Sequence, residues 1–236
     1  FDFENQSTIE QIPITNQRSR TFGVTWKRIY KNSNGFFNLS LSNNKLENNF
    51  ERFEDNVSRK NKVYSNLSTE EDIKLRFISN NNFDNYKFSF GGNFQLSKYS
   101  NRTFFKFYNI NYNSNIDFFK YGLFIKSSKR FFNDKLSLSF GVRTDQDNFT
   151  SENKIFENIS PRLAISLSLS NNNKWNLNLT SGRYYKMPTY TSLGFRDLNN
   201  MLINKNSKYT QSDHIVVGLE FINSKSSRFT IELFDK

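Results

Sequence analysis

Apolar and polar residues alternate along most of the chain with the two-residue period of a β-strand. In the segment WNLNLTSGRYY (175–185), Trp and Leu alternate with Asn and Thr. Strict alternation places the apolar side chains on one face of a strand and the polar side chains on the other. Comparable segments occur at 21–30, 35–42, 72–77, 86–97, 118–128, 135–145, 160–170, 214–221 and 228–236. The pattern therefore predicts about ten strands with unlike faces, and no amphipathic helix competes with them.

The predicted connections between these strands alternate between short and long. Short polar segments lie at 31–35, 80–85, 131–135, 171–174 and 222–227. Longer polar stretches lie near 43–71, 98–117, 145–158 and 186–212. Antiparallel strands joined in sequence place every second connection at the same edge of a sheet. We therefore expect all the short turns at one edge and all the long loops at the other.

Two all-β architectures contain strands with one apolar face. A soluble β-sandwich packs its apolar faces together, but it requires neither plain up-and-down order nor all long loops at one end. An outer-membrane barrel has short turns on one side, long loops on the other, an apolar face toward lipid and a polar face toward the lumen. Closure of the barrel also satisfies the backbone hydrogen-bonding groups, which lipid cannot do. The expected fold is therefore an all-β, antiparallel, up-and-down transmembrane β-barrel.

The composition favours strands and excludes several functional classes. Aromatic residues make up 17% of the chain and cysteine is absent, and no apolar run reaches the roughly 18 residues of a membrane helix. The net charge of +11 is spread without a basic cluster, so nucleic acid is not an expected partner. No nucleophile-elbow, phosphate-loop or zinc-ligand spacing occurs. We expect no enzyme activity, no catalytic residue, no metal site and no cofactor.

The two ends of the sequence lead to an expectation about domain organisation. The chain begins at Phe1 without an initiator methionine or a signal-peptide pattern, and it ends inside an alternating segment. We expect residues 1–236 to be a partial outer-membrane β-barrel domain, about ten strands of a roughly 22-stranded barrel of the plugged-transporter type. The plug domain and the remaining strands are expected elsewhere in the same protein.

One long segment resembles a known family. The segment ISPRLAISLSLSNNNKWNLNLTSGRYYKMPTY (159–190) resembles the β-barrel of TonB-dependent outer-membrane receptors, most closely those of the Bacteroidota. Segments 135–145 and 214–236 are similar to neighbouring barrel strands of that family. The features that carry the resemblance are Ser160-Pro161-Arg162 at the start of a strand, the turn before Lys174-Trp175, and Gly182-Arg183-Tyr184-Tyr185 followed by Pro188.

The resemblance implies a function, a location and a set of partners. Receptors of this family lie in the bacterial outer membrane and enclose an N-terminal plug from the same chain. They import a scarce nutrient (an iron chelate, cobalamin or an oligosaccharide) with energy from the TonB complex of the inner membrane. The expected partners are therefore outer-membrane lipid, the plug, the TonB complex and a small-molecule or oligosaccharide substrate. Two alternatives stay open, a passive or lipid-handling outer-membrane channel and a secreted β-rich adhesion module.

Three residues near the end of the family-like segment are candidate ligand contacts: Tyr184, Lys186 and Tyr190. Tyr184 and Lys186 share the parity of the polar face, and Tyr190 follows on the long loop. An aromatic platform beside a cation suits sugars and acidic chelates. The alternative is that Tyr184 packs within a loop and that Lys186 is solvated.

Other charged residues have plainer expected roles. Arg143 and Arg162 are predicted to face the lumen and to pair with carboxylates of the plug or barrel. The single histidine, His214, makes neither a metal site nor a catalytic dyad by itself. The acidic residues lack the spacing of a calcium-binding loop and are expected to be solvated. They form three groups, Glu51, Glu54 and Asp55, then Glu70, Glu71 and Asp72, then Asp145 and Asp147.

Overall fold

The chain forms one antiparallel sheet whose strands follow one another in sequence order. The computed structural model describes residues 12–31, 34–151, 154, 156–170, 172, 174–197, 199–224 and 226–236. Each strand pairs with the next, from β1 to β10. The strands are β1 (Ile14–Ile29), β2 (Phe36–Asp55), β3 (Lys60–Phe83), β4 (Tyr86–Phe105), β5 (Ile110–Phe131), β6 (Leu136–Asp147), β7 (Ile159–Ser168), β8 (Trp175–Lys186), β9 (Thr210–Ser224) and β10 (Ser227–Asp235). The predicted ten strands and their up-and-down order are confirmed.

Apolar side chains form continuous rows on one face, which we call the apolar face. One row runs across β6 to β10 through Leu138, Ile165, Leu179, Val217 and Leu233. A one-residue slip between any two strands would turn these side chains to the other face, so the row fixes the register. Among the described residues no second sheet covers this face, and Leu233 is 74% exposed.

The strands are longer than the hydrophobic pattern indicates. The prediction of long loops at 43–71 and 98–117 is wrong. The strands β2 to β5 continue through these stretches, and only 56–59 and 106–109 remain as connections. Residues Lys106–Tyr108 form a short 3-10 helix. In these extensions polar residues occur on both faces, so the apolar period disappears although the backbone ladder continues. The other two expected loops are present, at 148–158 and 187–209.

One end of the sheet carries the connections 56–59, 106–109, 148–158 and 187–209 and is called the loop end. The opposite end is called the turn end. The turn end holds the connections 30–35, 84–85, 132–135, 169–174 and 225–226. Alternate connections therefore lie at opposite ends of the sheet. The predicted difference in length holds only for 148–158 and 187–209, because 56–59 and 106–109 are no longer than several connections of the turn end.

The apolar face stops at a charged row that crosses β1 to β5. The last apolar row includes Phe22, Ile73, Leu96 and Phe119. The next residues of the same parity toward the loop end are Arg20, Lys45, Glu71, Lys98 and Asp117. On β4 the apolar part thus runs from Tyr86 to Leu96, which spans about 25 Å if the strand tilts by roughly 40°. Beyond it the strands form a wall that is polar on its outer side.

The longest loop folds back over the opposite, polar face. Within it the one-turn helix α1 (Tyr190–Leu193) begins after Thr189, whose hydroxyl accepts a hydrogen bond from the Ser192 backbone N–H. Leu193 is completely buried against Tyr99, Ile116 and Phe118. These three side chains lie on the polar face of β4 and β5, where the alternating pattern predicts no apolar cluster. No helix among the described residues is long and apolar enough to cross a bilayer.

Candidate ligand-binding grooves

Two adjoining cavities lie on the polar face and share Arg143 and Arg162. The first, the middle groove, has a volume of about 370 Å³. It is lined by residues that include Arg76, Phe124, Lys126, Arg143, Arg162 and Tyr184. The second, the outer groove, lies toward the loop end and has a volume of about 580 Å³. Its lining includes Asp72, Gln95, Lys120, Asp145, Lys186 and Tyr190.

Four strands of the sheet supply the cations of the middle groove. Arg76 comes from β3, Lys126 from β5, Arg143 from β6 and Arg162 from β7. Of these, Arg143 forms a two-contact ion pair with Asp145 and donates to Asn93 Oδ1 at 2.9 Å. Within the described part of the chain, no ion pair is formed by the other three. The middle groove therefore carries uncompensated positive charge.

Glycines make room for side chains that line the middle groove. A Cβ at Gly91 would lie 2.8 Å from Phe124 Cε1, so the absence of a side chain on β4 lets the Phe124 ring lie across it. A Cβ at Gly182 would lie 3.2 Å from the Tyr184 ring and 3.3 Å from Arg162 Cγ. These close approaches hold the aromatic rings against the sheet.

Tyr184 forms an aromatic and cationic surface with its neighbours. The Arg162 guanidinium lies 4.5 Å from the centroid of the Tyr184 ring, and the His214 ring lies 4.8 Å away. His214 Nε2 shares a 2.7 Å hydrogen bond with Ser212 Oγ. Tyr184 remains 38% exposed, so its ring is accessible from the groove. Lys186, two residues further along β8, lines the outer groove instead.

Tyr190 is held by side chains of three strands. Lys120 Nζ on β5 donates to its hydroxyl at 2.7 Å, and Gln95 Nε2 on β4 donates at 3.0 Å. The hydroxyl donates to Asp72 Oδ1 on β3, also at 3.0 Å. Burial, and in addition the charge of Asp72, raises the pKa of the Tyr190 hydroxyl above its usual range. The hydroxyl therefore stays protonated near neutral pH and remains a donor to the carboxylate.

Sequence reasoning did not identify Arg76, Gln95, Lys120 or Lys126 as site residues. All four have polar-face parity on strands that the pattern predicts, and this parity is the signal that was available. Parity alone does not single out these four residues, because every strand has several positions on the polar face. The fold of the β8–β9 loop brings Gln95 and Lys120 next to Tyr190.

A third cavity, the mouth pocket, lies at the loop end of the polar face. It has a volume of about 520 Å³ and is lined by Pro13, Phe50, Arg52, Tyr64, Asn66, Phe105 and Thr191. The Tyr64 and Phe105 rings meet edge to face at 5.6 Å between centroids. Thr191 is the residue after Tyr190, so adjacent residues of α1 border different cavities.

The acidic groups form hydrogen bonds and ion pairs. Glu54 accepts from Lys106 Nζ at 2.8 Å and from Asn61 Nδ2 at 2.9 Å, and these bonds lower its pKa. Asp147 is buried and accepts from Tyr209 and Thr150, both through side-chain hydroxyls. Asp147 thereby links the loop 148–158 to the loop 187–209. Among the described residues no three histidine, aspartate or glutamate side chains converge on a possible metal position.

Comparisons with known proteins agree with this fold. The family model for the TonB dependent receptor-like β-barrel matches residues 3–236. No curated protein sequence matches the chain. Among solved structures, the copper transporter OprC is similar at 14% identity and a TM-score of 0.67, covering 89% of this chain and 37% of that one.

Two other solved structures give similar values. The alcaligin outer-membrane receptor FauA from Bordetella pertussis has 10% identity and a TM-score of 0.65, covering 93% of this chain and 36% of its own. The outer-membrane transporter YddB from Escherichia coli has 13% identity and a TM-score of 0.64, with 89% and 33% covered. The chain thus spans about a third of the length of these proteins. Because the family model covers almost the whole sequence, the chain belongs to the TonB-dependent receptor β-barrel family.

Proposed function

We propose that this chain is part of the barrel of an outer-membrane receptor that imports a scarce nutrient by energised transport. The observation that carries the proposal is the outer groove. It is a polar cavity on the inner face of a family barrel, beneath a loop that folds inward. Hydroxyl, amide, carboxylate and ammonium groups line it, so it offers both donors and acceptors to an oxygen-rich ligand.

The substrate belongs to the classes that family receptors take up, an iron chelate, cobalamin or an oligosaccharide. Similar solved structures include a copper transporter, an alcaligin receptor and a protein bound to pyoverdines. Tyr184 and Lys186 are the proposed ligand contacts of the present chain. Tyr184 offers an exposed ring, and Lys186 adds a cation at the edge of the outer groove.

The proposed location is the bacterial outer membrane, with the apolar face against lipid. Support comes from the height of the apolar rows, which matches the roughly 25 Å lipid-facing band of such barrels. The charged row through Lys45, Glu71 and Lys98 marks the outer boundary of that band. The loop end accordingly faces the cell exterior.

The proposed partners inside the cell envelope are the plug and the TonB complex. The plug fills the polar face, and its carboxylates pair with Arg76, Lys126 and Arg162 of the middle groove. Arg143 contributes less, because Asp145 already neutralises it. The TonB complex acts through parts of the protein that lie outside these 236 residues.

The receptor is favoured over both alternatives by specific observations. A secreted adhesion module needs a second layer over its apolar face, and the described residues provide none. A passive channel needs an open mouth, whereas here the β8–β9 loop folds inward onto β4 and β5 and buries Leu193 there. The inward loop suits a barrel that binds a ligand before moving it.

Uptake by the full-length protein tests the proposal. Cells that express it are offered a labelled ferric siderophore, cobalamin or oligosaccharide, with and without collapse of the proton gradient. We expect uptake of one class that stops when the gradient collapses. Tyr184→Ala and Lys186→Ala should each weaken binding of that ligand about tenfold or more. Lys174→Ala at the turn end is the matched control. Gradient-independent passage of small solutes would instead establish a passive channel.

Labelling of intact cells tests the location and orientation. Epitope tags after Val57, which is 75% exposed, and after Lys205 should be stained, whereas a tag at Asn172 at the turn end should not. Asn56 and Asn204 are less suitable tag positions, because their side chains donate to the backbone carbonyls of Ile12 and Ser192. Ser33, in the predicted short connection 31–35, would be a second turn-end position, but it lies outside the described residues. Staining at Asn172 would reverse the proposed orientation.

A further inference from the structure

The loop between β8 and β9 is attached to the inner face of the barrel wall. Leu193 has no exposed surface, and the edge of the Tyr190 ring meets Phe118 at 5.2 Å between centroids. Segments that open readily make few buried apolar contacts. The burial of Leu193 and the partial burial of Tyr190 therefore mark a loop that stays in place.

Hydrogen bonds of the Tyr190 hydroxyl also hold the loop on the wall. Besides its three charged or amide partners, the Tyr190 hydroxyl lies 3.0 Å from Ser97 Oγ. The Lys120 ammonium also lies 4.9 Å from the centroid of the Tyr190 ring. A single hydroxyl thus joins the loop to β3, β4 and β5, in a site where low exposure strengthens each hydrogen bond.

The attached loop lies between two cavities of different chemistry. Tyr190 lines the polar outer groove, and Thr191 lines the aromatic mouth pocket. Behind α1, a Cβ at Gly194 would lie 2.9 Å from Tyr99 Cε1 and 3.1 Å from Ser114 Oγ. The loop is therefore seated directly on the wall, with no space for a further side chain.

We infer that Tyr190 is a positioning residue that pins the β8–β9 loop as a fixed partition in the barrel mouth. The partition separates a polar compartment, the outer groove, from an aromatic compartment, the mouth pocket. A ring-bearing part of a ligand is received by Phe50, Tyr64 and Phe105, and its polar groups are received on the other side of α1. This inference rests on the proposed function and gives Tyr190, one of the predicted ligand contacts, a positioning role that acts through the loop.

Cysteine labelling of the full-length protein tests the inference without any ligand. Ser114 is fully buried beside Gly194, and its hydroxyl has no hydrogen-bond partner among the described residues. Ser114→Cys is therefore a nearly isosteric reporter, and the 236 residues contain no other cysteine. The rate of reaction with a water-soluble maleimide is measured in a background freed of any other cysteines.

The expected result is slow labelling with Tyr190 present and labelling at least tenfold faster in Tyr190→Phe, which keeps the ring but loses the hydroxyl. Asp72→Asn is the second variant and should also be faster. Tyr185→Phe is the matched control, since its hydroxyl bonds Gln211 and not the loop. Heat-modifiable gel mobility establishes that each variant is folded.

Two outcomes would overturn the inference. One is fast labelling of Ser114→Cys with Tyr190 intact, and the other is an unchanged slow rate in both Tyr190→Phe and Asp72→Asn. Neither outcome depends on transport. Loss of uptake with an intact partition would therefore count only against the proposed function.

Discussion

At the scale of single residues, the inner face depends on positions where a side chain is absent. Gly91 leaves room for the Phe124 ring, and Gly194 leaves room for Tyr99. Neither glycine has a positive φ, so close approach and not backbone conformation explains them. The Tyr99 ring is 2% exposed and cannot easily move away from an added methyl group.

Gly194→Ala should therefore loosen α1 from the wall. Overpacking of this kind costs about 1–3 kcal/mol, so amide exchange of a peptide covering 188–196 should accelerate by roughly 5- to 150-fold in the full-length protein. Hydrogen–deuterium exchange with mass spectrometry measures the change. Gly23→Ala is the control, because its Cβ would meet its nearest neighbours at 3.6 Å. Equal exchange in Gly194→Ala and the unaltered protein would contradict the packing argument.

At the scale of elements, adjacent residues of one strand have opposite surroundings. Ile165 of β7 belongs to the apolar row, whereas Ser166 lies on the polar face between Ser137 and Asn178. Leu138 of the same row and Leu167, two residues further along β7, also lie on the apolar face. Ile165 lies further from the β7–β8 turn than Leu167 does, and hence deeper in the proposed lipid band.

Ile165→Arg should impair assembly of the full-length barrel, at a cost of about 2–4 kcal/mol near the bilayer midplane. Ser166→Arg should be much milder, because its side chain reaches the aqueous interior. The assembled fraction in outer-membrane preparations, read from heat-modifiable gel mobility, measures both. Equal damage from the two substitutions would remove the distinction between the faces.

The outward-facing end of β8 is a second feature at this scale. Arg183 shares parity with Leu179, and a charge on that face weakens the simple barrel pattern. Its guanidinium forms a two-bond pair with Asp213 of β9, at 2.7 and 2.8 Å, and both side chains are exposed. The pair fits a position above the lipid band, in water. The Arg183–Asp213 pair is therefore consistent with the upper boundary of the proposed lipid band on this part of the sheet.

At the scale of the whole molecule, the sheet has two edges. Within the described residues β1 pairs only with β2, and β10 pairs only with β9. Unpaired N–H and C=O groups of an edge strand are costly in lipid and promote association in water. The buried apolar cluster around Leu193 is small, and most large apolar side chains remain exposed.

Residues 1–236 expressed alone should therefore neither remain a soluble monomer nor form a stable pore in detergent. We expect aggregation, or recovery of folded material only when further barrel strands are supplied. Size-exclusion chromatography with light scattering and thermal denaturation measures the outcome. A monodisperse monomer with a cooperative melt would contradict the edge argument and would favour the adhesion module.

The alternating sequence by itself determined the ten strands, their order and their apolar face. This was possible because side-chain direction in a strand has a period of two, and because register follows once one face is apolar. It also indicated the family, through the segment that contains β7 and β8. Tyr184, Lys186, Arg143 and Arg162 were likewise placed on the polar face by parity alone.

Only the tertiary structure decided what that face contains. The extensions of β2 to β5 have polar residues on both faces, so no alternation of apolar and polar residues predicts them. Backbone hydrogen bonding to the neighbouring strands nevertheless forms them. The position of Tyr190 depends on Asp72, Gln95 and Lys120, which lie 118, 95 and 70 residues away in the sequence. Parity assigns a residue to a face, but the packing of a loop onto that face sets which residues meet, because contacts between distant segments form only when the whole sheet is assembled.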